Sequence, residues 1–257
     1  MRWMLALGLL AFAVPASAQA APSSSTGSSS TGSSSTGTES DDYAPPVGDR
    51  PTSGDASLLS GRTLGTGEVM IAAFAGWPGA FAQLELAPSS TFNLGIRLGF
   101  DYGSPMMGLV TGYGGELAVP MRIHVFGERD VDISVHIQPV VALGSGSLFG
   151  EAGILSNRFG YGLRLDLGAR MGWQVDPRLT FVFGLDVGAG LSGVDPNNPS
   201  ALGMILGLLG AEVLIARDFM LFLEAGGGYG FAPDRGGVAY FPAREMLRVV
   251  LGAGFLL

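Results

Sequence analysis

The sequence predicts an all-β protein, an antiparallel up-and-down transmembrane β-barrel of about ten strands, with eight strands as the alternative. Three observations predict it. Apolar and polar residues alternate with a period of two, the connections between these segments alternate between short and long, and no stretch is apolar enough for a membrane helix. The nearest candidate for a helix, 201–216, is interrupted by Glu212 and falls short of the roughly 18 uncharged residues that a membrane span needs.

The clearest alternation lies in segment 159–175. Every odd position from Tyr161 to Trp173 is apolar, whereas the even positions between and beside them are polar or glycine. Successive side chains of a strand point to opposite faces, so this segment has one apolar face and one polar face. Segments 92–102 and 131–144 show the same division.

Ten segments of this kind follow one another along the chain. They span 64–77, 80–87, 92–102, 113–126, 131–144, 159–175, 179–192, 201–215, 219–231 and 244–257. The short connections are 88–91, 127–130, 176–178 and 216–218, and the longer ones are 103–112, 145–158, 193–200 and 232–243. Short turns at one end and long loops at the other are typical of membrane-spanning barrels. The first hairpin is the exception, since Pro78-Gly79 suits a type II turn that hairpins avoid, and eight strands after an irregular N-terminal piece is therefore the alternative.

The composition excludes several classes of function. The chain has 257 residues, 42 of them glycine, and only 14% are charged, against roughly 25% in an ordinary soluble domain. The net charge of −8 argues against a nucleic-acid partner. The absence of cysteine excludes disulfides, thiol catalysis and zinc–thiolate sites. All basic residues are arginine, which excludes lysine chemistry.

Two N-terminal segments precede the predicted barrel, which occupies 58–257. Residues 1–20 are typical of a signal peptide, with Arg2, an apolar stretch at 5–14 and a small-residue cleavage motif at 16–18 or 18–20. Residues 21–57 contain three repeats of Ser-Ser-Ser-Thr-Gly at 23–37 and continue with proline and acidic residues. Such a polar segment cannot bury a core, so it is predicted to be a disordered Ser/Thr/Gly-rich tether.

Aromatic residues mark both ends of the predicted strands, and all of them lie on the apolar face. Those toward the long loops are Trp77, Tyr102, Tyr113, Tyr161, Tyr229 and Phe231, and those toward the short turns are Phe92, Trp173, Phe181, Phe219 and Phe255. Two aromatic girdles around an apolar band match the two interfaces of a bilayer. In a soluble sandwich the charged face would lie outside, and the many glycines would weaken the strands without reason.

The C-terminal residues strengthen this interpretation. The last six residues include Gly252, Phe255 and Leu257. Their spacing is similar to the Gly-x-x-apolar-x-apolar signal of small outer-membrane β-barrel proteins of Gram-negative bacteria, in which the last residue is more commonly Phe. Residues 58–257 resemble these barrels as a class. The resemblance implies an outer-membrane location after secretion with a cleaved signal peptide, a periplasmic tether, and both termini in the periplasm. It also implies contact with outer-membrane lipid and with the barrel assembly machinery through the C-terminal strand.

Charged residues on the polar face form the main candidate site. Counted from the short turns, they fall in one half of the lumen, and they are Glu68, Glu85, Arg97, Arg122, His136, Arg170, Glu212, Glu224 and Arg248. The favoured interpretation is structural, because unpaired buried charges are costly and opposite charges inside a narrow barrel pair. A selectivity ring or gate is the alternative. Glu212 and Glu224 are expected to approach each other across the turn at Arg217 and to need either Arg248 nearby or a shared proton. The other half of the lumen is predicted to be a vestibule of small residues such as Gly114, Gly162 and Gly230.

The sequence offers no convincing catalytic or cofactor site. His124 and His136 flank the turn 127–130, and the register places either His124 opposite Asp132 or Arg122 opposite His136. Neither arrangement supplies a third metal ligand or a nucleophile. The G-x-G-x-x-G match ending at residue 193 is not followed by a helix, which a dinucleotide site requires.

The sequence therefore predicts a non-catalytic barrel with a largely closed, salt-bridged lumen and a structural or interaction role. A narrow pore or a small-ligand-binding barrel is the alternative. A barrel enzyme is a more remote one, because omptin-like proteases use a histidine at the extracellular rim, whereas both histidines here lie toward the short turns. No metal, cofactor or nucleic-acid partner is expected, and the sequence does not specify an extracellular partner or solute.

Overall fold

The computed structural model describes residues 57–106, 112–128, 130–149, 153–197, 199–231 and 243–257. The predicted signal peptide and the tether before residue 57 lie outside them. The strands within these residues are β1 (Val69–Trp77), β2 (Gly79–Ser89), β3 (Phe92–Asp101), β4 (Gly114–Ala118), β5 (Met121–Glu128), β6 (Val131–Ser145), β7 (Phe159–Asp176), β8 (Leu179–Gly193), β9 (Ser200–Ala216), β10 (Phe219–Phe231) and β11 (Ala243–Leu256). Two short 3-10 helices, Gly146–Phe149 and Gly153–Asn157, lie between β6 and β7.

The strands close into an antiparallel barrel. The first strand pairs with the last, from Met70 opposite Leu256 to Trp77 opposite Val249. Strands β4 and β5 both pair with β3 and with β6, so they are two halves of one barrel strand. The break falls at Pro120, which has no amide hydrogen to give to the ladder. The prediction of ten strands is confirmed, and the eight-strand alternative is excluded because β1 and β2 are paired.

Nine of the ten predicted segments agree with the structure to within two residues at each end. The first differs, because β1 begins at Val69 rather than at residue 64. Only Pro78 separates β1 from β2, and the Trp77–Pro78 peptide bond is cis.

The two ends of the barrel differ in their connections. The short-turn end carries the tight connections β2–β3, β5–β6, β7–β8 and β9–β10, and we call the opposite end the long-loop end.

The two faces of each strand differ as the alternation predicts. In β7, Leu163, Leu165 and Leu167 are exposed on the outer surface, whereas Asp166 and Arg170 are buried inside. The predicted girdle aromatics also lie on the outer surface, where they are half-buried or exposed. No helix among the described residues is long and apolar enough to span a membrane.

Apolar side chains pack inside the barrel around the polar ones. Toward the short-turn end Phe74 and Phe222 pack with ring centroids 4.7 Å apart, in a buried cluster that includes Leu58 and Leu59. A Cβ atom at Gly252 would lie 2.2 Å from the Phe222 ring, so the first residue of the predicted assembly signal also makes room for this ring. A second buried apolar cluster lies in the long-loop half and contains Met106, Leu202, Leu206, Leu208 and Met246.

Candidate functional site

Residues 57–64, which we call the stopper segment, enter the lumen at the short-turn end. Ser57, Leu58, Leu59 and Ser60 are buried there, as is Leu64 at the end of the segment. The sequence analysis placed most of this segment between the tether and the first strand and gave it no role. The structure therefore adds an internal element to the predicted barrel.

Glu212 of β9 binds the N–H groups of the stopper segment. Its Oε1 atom accepts hydrogen bonds from the backbone amides of Leu58 and Leu59, at 2.8 and 2.6 Å. Its Oε2 atom accepts one from the Ser57 hydroxyl at 2.5 Å. A carboxylate removed from water is costly unless it is hydrogen-bonded, and these three donors supply that compensation.

Arg122 of β5 binds the carbonyl groups of the same segment. Its Nη1 atom donates to the carbonyl oxygens of Ser57 and Arg62 at 2.6 and 2.8 Å, and its Nη2 atom donates to that of Leu58. The guanidinium also pairs with Glu85 at 3.2 Å. The backbone of the stopper segment thus receives from side chains the hydrogen bonds that a strand receives from its neighbours.

Further contacts fix the segment against β5, β6 and β7. Arg62 pairs with Asp132 through Nε and Oδ2 at 2.6 Å, and its Nη2 atom donates to Gln174 at 2.5 Å. His124 Nδ1 lies 2.9 Å from the Gly61 carbonyl oxygen. A Cβ atom at Gly61 would lie 2.3 Å from the Asp132 carbonyl carbon, so only glycine permits this close approach to β6.

A second tier of charges lies deeper in the lumen and consists of ion pairs. Their N–O separations are 2.8 Å for Arg97–Glu116, 2.6 Å for Arg164–Asp166, 3.8 Å for Arg164–Glu116, 2.5 Å for Arg170–Asp186 and 3.2 Å for Arg248–Glu224. The Arg170–Asp186 pair is bidentate, with its second hydrogen bond at 2.7 Å. Bidentate arginine–carboxylate geometry is among the stronger polar contacts in proteins.

The structure distributes the predicted lumen residues between these two groups. Glu85, Arg122 and Glu212 contact or surround the stopper segment, and Arg97, Arg170, Glu224 and Arg248 belong to the second tier. The expected approach of Glu224 to Arg248 is observed. The expectation that Glu212 would share Arg248 with Glu224 is wrong, because the stopper segment provides its partners.

Two predicted residues have local roles. Glu68 lies beside β1 at the short-turn end and accepts a hydrogen bond from the Gly65 amide at 2.6 Å. His136 lies opposite Arg122, which decides between the two registers that the sequence left open, and its Nε2 atom is 3.0 Å from the Ser134 hydroxyl. Among the described residues no group of His, Asp or Glu is placed to hold a metal ion.

Sequence reasoning missed four charged members of the second tier, namely Glu116, Arg164, Asp166 and Asp186. The alternation of β7 already places Arg164 and Asp166 on the inner face. Glu116 and Asp186 could be found in the same way, since each alternates with apolar neighbours on its strand. The signal was therefore present, but it gives only the face of each residue and not its partner.

Between the stopper segment and the long loops the lumen contains a cavity of about 170 Å³. Leu58 and Leu59 line it at one end, and Leu148 and Phe149 at the other. One part of its wall carries the ion pairs of the second tier, and another part is apolar, formed by Leu202, Leu206, Met204 and Met246.

The long-loop half of the lumen is less open than the predicted vestibule. Phe149 is buried and turns inward, where its ring lies within 2.9 Å of the Cβ positions of Gly160 and Gly162. Leu148 similarly approaches Gly114. The glycines of the wall therefore accommodate side chains from the connection between β6 and β7, and these side chains take up part of the expected space.

In comparisons with known proteins, no family model and no curated protein matches the chain. Similar solved structures include OmpT, an outer membrane protein of Vibrio cholerae, folded in vitro, at 12% identity and a TM-score of 0.30. They also include a loop L8 deletion mutant of that protein, at 14% identity and a TM-score of 0.32. The matches cover 74% of this chain and 64% and 62% of the two structures, so the chain spans less than two thirds of the length of either.

We expect Glu212→Gln to loosen the stopper segment, because an amide group offers one acceptor oxygen in place of the two that now bind three donors. Hydrogen bonds to a charged group contribute about 1.5–3 kcal/mol, so amide hydrogen exchange within residues 57–64 should accelerate at least about tenfold. Exchange measured by mass spectrometry on the folded protein tests this. The control is Glu128→Gln, which changes an exposed carboxylate at the same end of the barrel. Equal exchange in the two variants would show that Glu212 does not hold the segment.

Proposed function

We propose that the chain is an outer-membrane β-barrel protein whose lumen is closed at rest and whose role is structural or interactive rather than catalytic. The observation that carries this proposal is the stopper segment, whose backbone is bound by Glu212 and Arg122 inside the short-turn mouth. A constitutively open pore would have no use for a segment that fills its entrance.

The outer surface supports the membrane location. Large apolar side chains are exposed on strands around the whole barrel, from Ile71 on β1 to Leu251 on β11. Soluble proteins rarely expose contiguous apolar patches larger than a few hundred Å², whereas hydrocarbon accepts such a surface. Aromatic residues at both ends, and charges that lie in the lumen or at the ends of the strands, agree with the pattern of transmembrane barrels.

The topology supports an orientation with the short-turn end in the periplasm. Transmembrane barrels of bacteria have short periplasmic turns and longer extracellular loops. In this orientation the stopper segment enters the lumen from the periplasmic side, and the C-terminal strand β11 ends on that side. The assembly machinery would then bind β11, and the connection between β6 and β7, with Ile154 exposed, would meet the outside.

The engagement of the two histidines supports a role without catalysis. His124 contacts the Gly61 carbonyl group, and His136 contacts Ser134 beside the Arg122 guanidinium. The first contact belongs to the closure of the short-turn end, and the second joins two residues of β6, with His136 at the wall of the cavity. General-base catalysis would need a histidine within hydrogen-bond reach of a substrate proton.

A second candidate function, the binding of a small ligand, is favoured by the cavity. Its volume of about 170 Å³ is close to that of an engineered protein cavity of about 150 Å³ that binds benzene. One charged wall and one apolar wall would suit a small amphipathic molecule. We rank this second because loop side chains narrow the long-loop end.

The lipid-facing assignment predicts a large effect of Leu165→Arg. Leu165 lies in the middle of β7, pairs with Pro139 and Ala189, and is 45% exposed. An arginine at the bilayer midplane should lower the free energy of unfolding by about 2–4 kcal/mol, and near an interface by about 0–1 kcal/mol. The matched control is Val175→Arg, on the same face near the end of the same strand and 51% exposed. Urea titrations in lipid vesicles measure both variants, and equal costs would contradict the assignment.

The closed lumen predicts that the refolded full chain is silent in a planar bilayer. The stopper segment and the tier of ion pairs above it leave no wide aqueous path, so we expect a conductance far below that of a general porin. Single-channel recording in a symmetrical salt solution measures it. A wild-type conductance as large as that of a general porin would contradict the proposed function.

A further inference from the structure

We propose that the stopper segment is a removable gate and that the barrel conducts small cations when residues 57–64 leave the lumen. The proposed conduction of cations rests on the closed membrane barrel of the proposed function and extends that function. Three features carry the inference: how the segment is held, what lies above it, and which charges it leaves behind.

The segment is held by side chains, and the barrel closes independently of it. Its backbone bonds run to Glu212, Arg122 and His124, whereas closure of the barrel depends on the pairing of β1 with β11. Withdrawal of the segment therefore leaves the strand ladders intact. The polar side chains that it releases, Glu212, Arg122 and His124, can be hydrated by water that enters the lumen, and the apolar cluster around Phe74 and Phe222 loses the packing of Leu58 and Leu59.

The segment bridges the lumen, whereas the second tier runs along the wall. Arg122 lies on the fourth barrel strand and Glu212 on the eighth of ten, so the segment between them crosses the barrel from one side to nearly the other. In contrast, Arg97–Glu116, Arg170–Asp186 and Arg248–Glu224 join neighbouring strands, and Arg164–Asp166 lies within one strand. The longest pair, Arg164–Glu116 at 3.8 Å, spans one intervening strand, β6. The tier of ion pairs therefore narrows the lumen but does not close it.

The space above the segment is continuous. The same cavity touches Leu58 and Leu59 of the stopper segment and Leu148 and Phe149 at the long-loop end. Removal of the segment joins this cavity to the short-turn mouth. The stopper segment is then the main barrier on the short-turn side. Among the described residues, the long-loop side is narrowed by Leu148 and Phe149 and by the apolar cluster that contains Met106 and Met246.

The charged side chains that remain at the short-turn opening of the barrel favour the passage of cations over anions. When the segment leaves, Arg62 leaves with it and no longer neutralises Asp132. Three buried carboxylates, Glu85, Asp132 and Glu212, then share this end of the lumen with two guanidinium groups, that of Arg122 and that of Arg178, which lines the rim beside Glu212. A ring in which carboxylates outnumber cations selects for cations over anions.

The test alters only residues of the stopper segment, in the full-length chain, and leaves the side chains of the barrel wall unchanged. Leu58→Glu combined with Leu59→Glu brings two carboxylates next to Glu212 and should expel the segment. We expect single-channel conductance at least about tenfold above the wild-type protein, with a reversal potential in a KCl gradient that shows K⁺ preference. The control, Ser33→Glu combined with Ser34→Glu, adds the same charge within the Ser/Thr/Gly repeats and should stay silent.

A second variant covers the case in which the glutamates impair folding. Residues 57–64 are replaced by eight alternating Gly and Ser residues, and the strand content of each variant is checked by circular dichroism before recording. Two correctly folded variants that stay silent would overturn the gate, and an anion preference would overturn the role of the mouth carboxylates. Porin-like conductance of the wild-type protein would instead overturn the closed lumen of the proposed function, so the two failures are distinguishable.

Discussion

The structure of the lumen depends on the interaction of Glu212 and Arg122 with the backbone of the stopper segment. A buried carboxylate and a buried guanidinium are each costly alone, and so is a backbone that enters a barrel without a strand partner. Here the carboxylate and the guanidinium supply the hydrogen-bond partners of the segment backbone, and the backbone supplies theirs. The carboxylate accepts from N–H groups, the guanidinium donates to carbonyl groups, and the segment lies where the two walls can both reach it.

The other charged side chains of the lumen obey the same constraint, that a buried charge needs a partner, but they find that partner close by. In the second tier each arginine finds a carboxylate on its own strand or an adjacent one, as Arg164 does with Asp166 and Arg170 with Asp186. Such pairs need no element to cross the barrel, so space remains along its axis. Glycine in the wall has the complementary effect, since it admits large side chains such as Phe222 beside Gly252 and Phe149 beside Gly162.

The barrel could be predicted from the sequence because its pattern is local. Alternation within β7 fixes which residues face inward, and the connections show where strands end, so the strand bounds and ten-strand count follow. The partners of the inward residues do not follow, since they depend on register and on distant segments. Ser57 and Glu212 are 155 positions apart, and nothing near either residue indicates the other. The apolar pair Leu58-Leu59 after a long polar stretch was the one local sign that the chain is buried there.

The central claim is that residues 57–64 occupy the lumen, and the reactivity of a single introduced thiol tests it most directly. The chain has no cysteine, so Ser60→Cys places one thiol in the segment at a position that is 0% exposed. Ile154→Cys places one at a position that is 82% exposed and serves as the reference. With a polar thiol reagent on the folded protein, the account predicts that the thiol at position 60 reacts at least about 100-fold more slowly, since it must wait for the segment to open. Equal rates at the two positions would show that the segment lies outside the barrel.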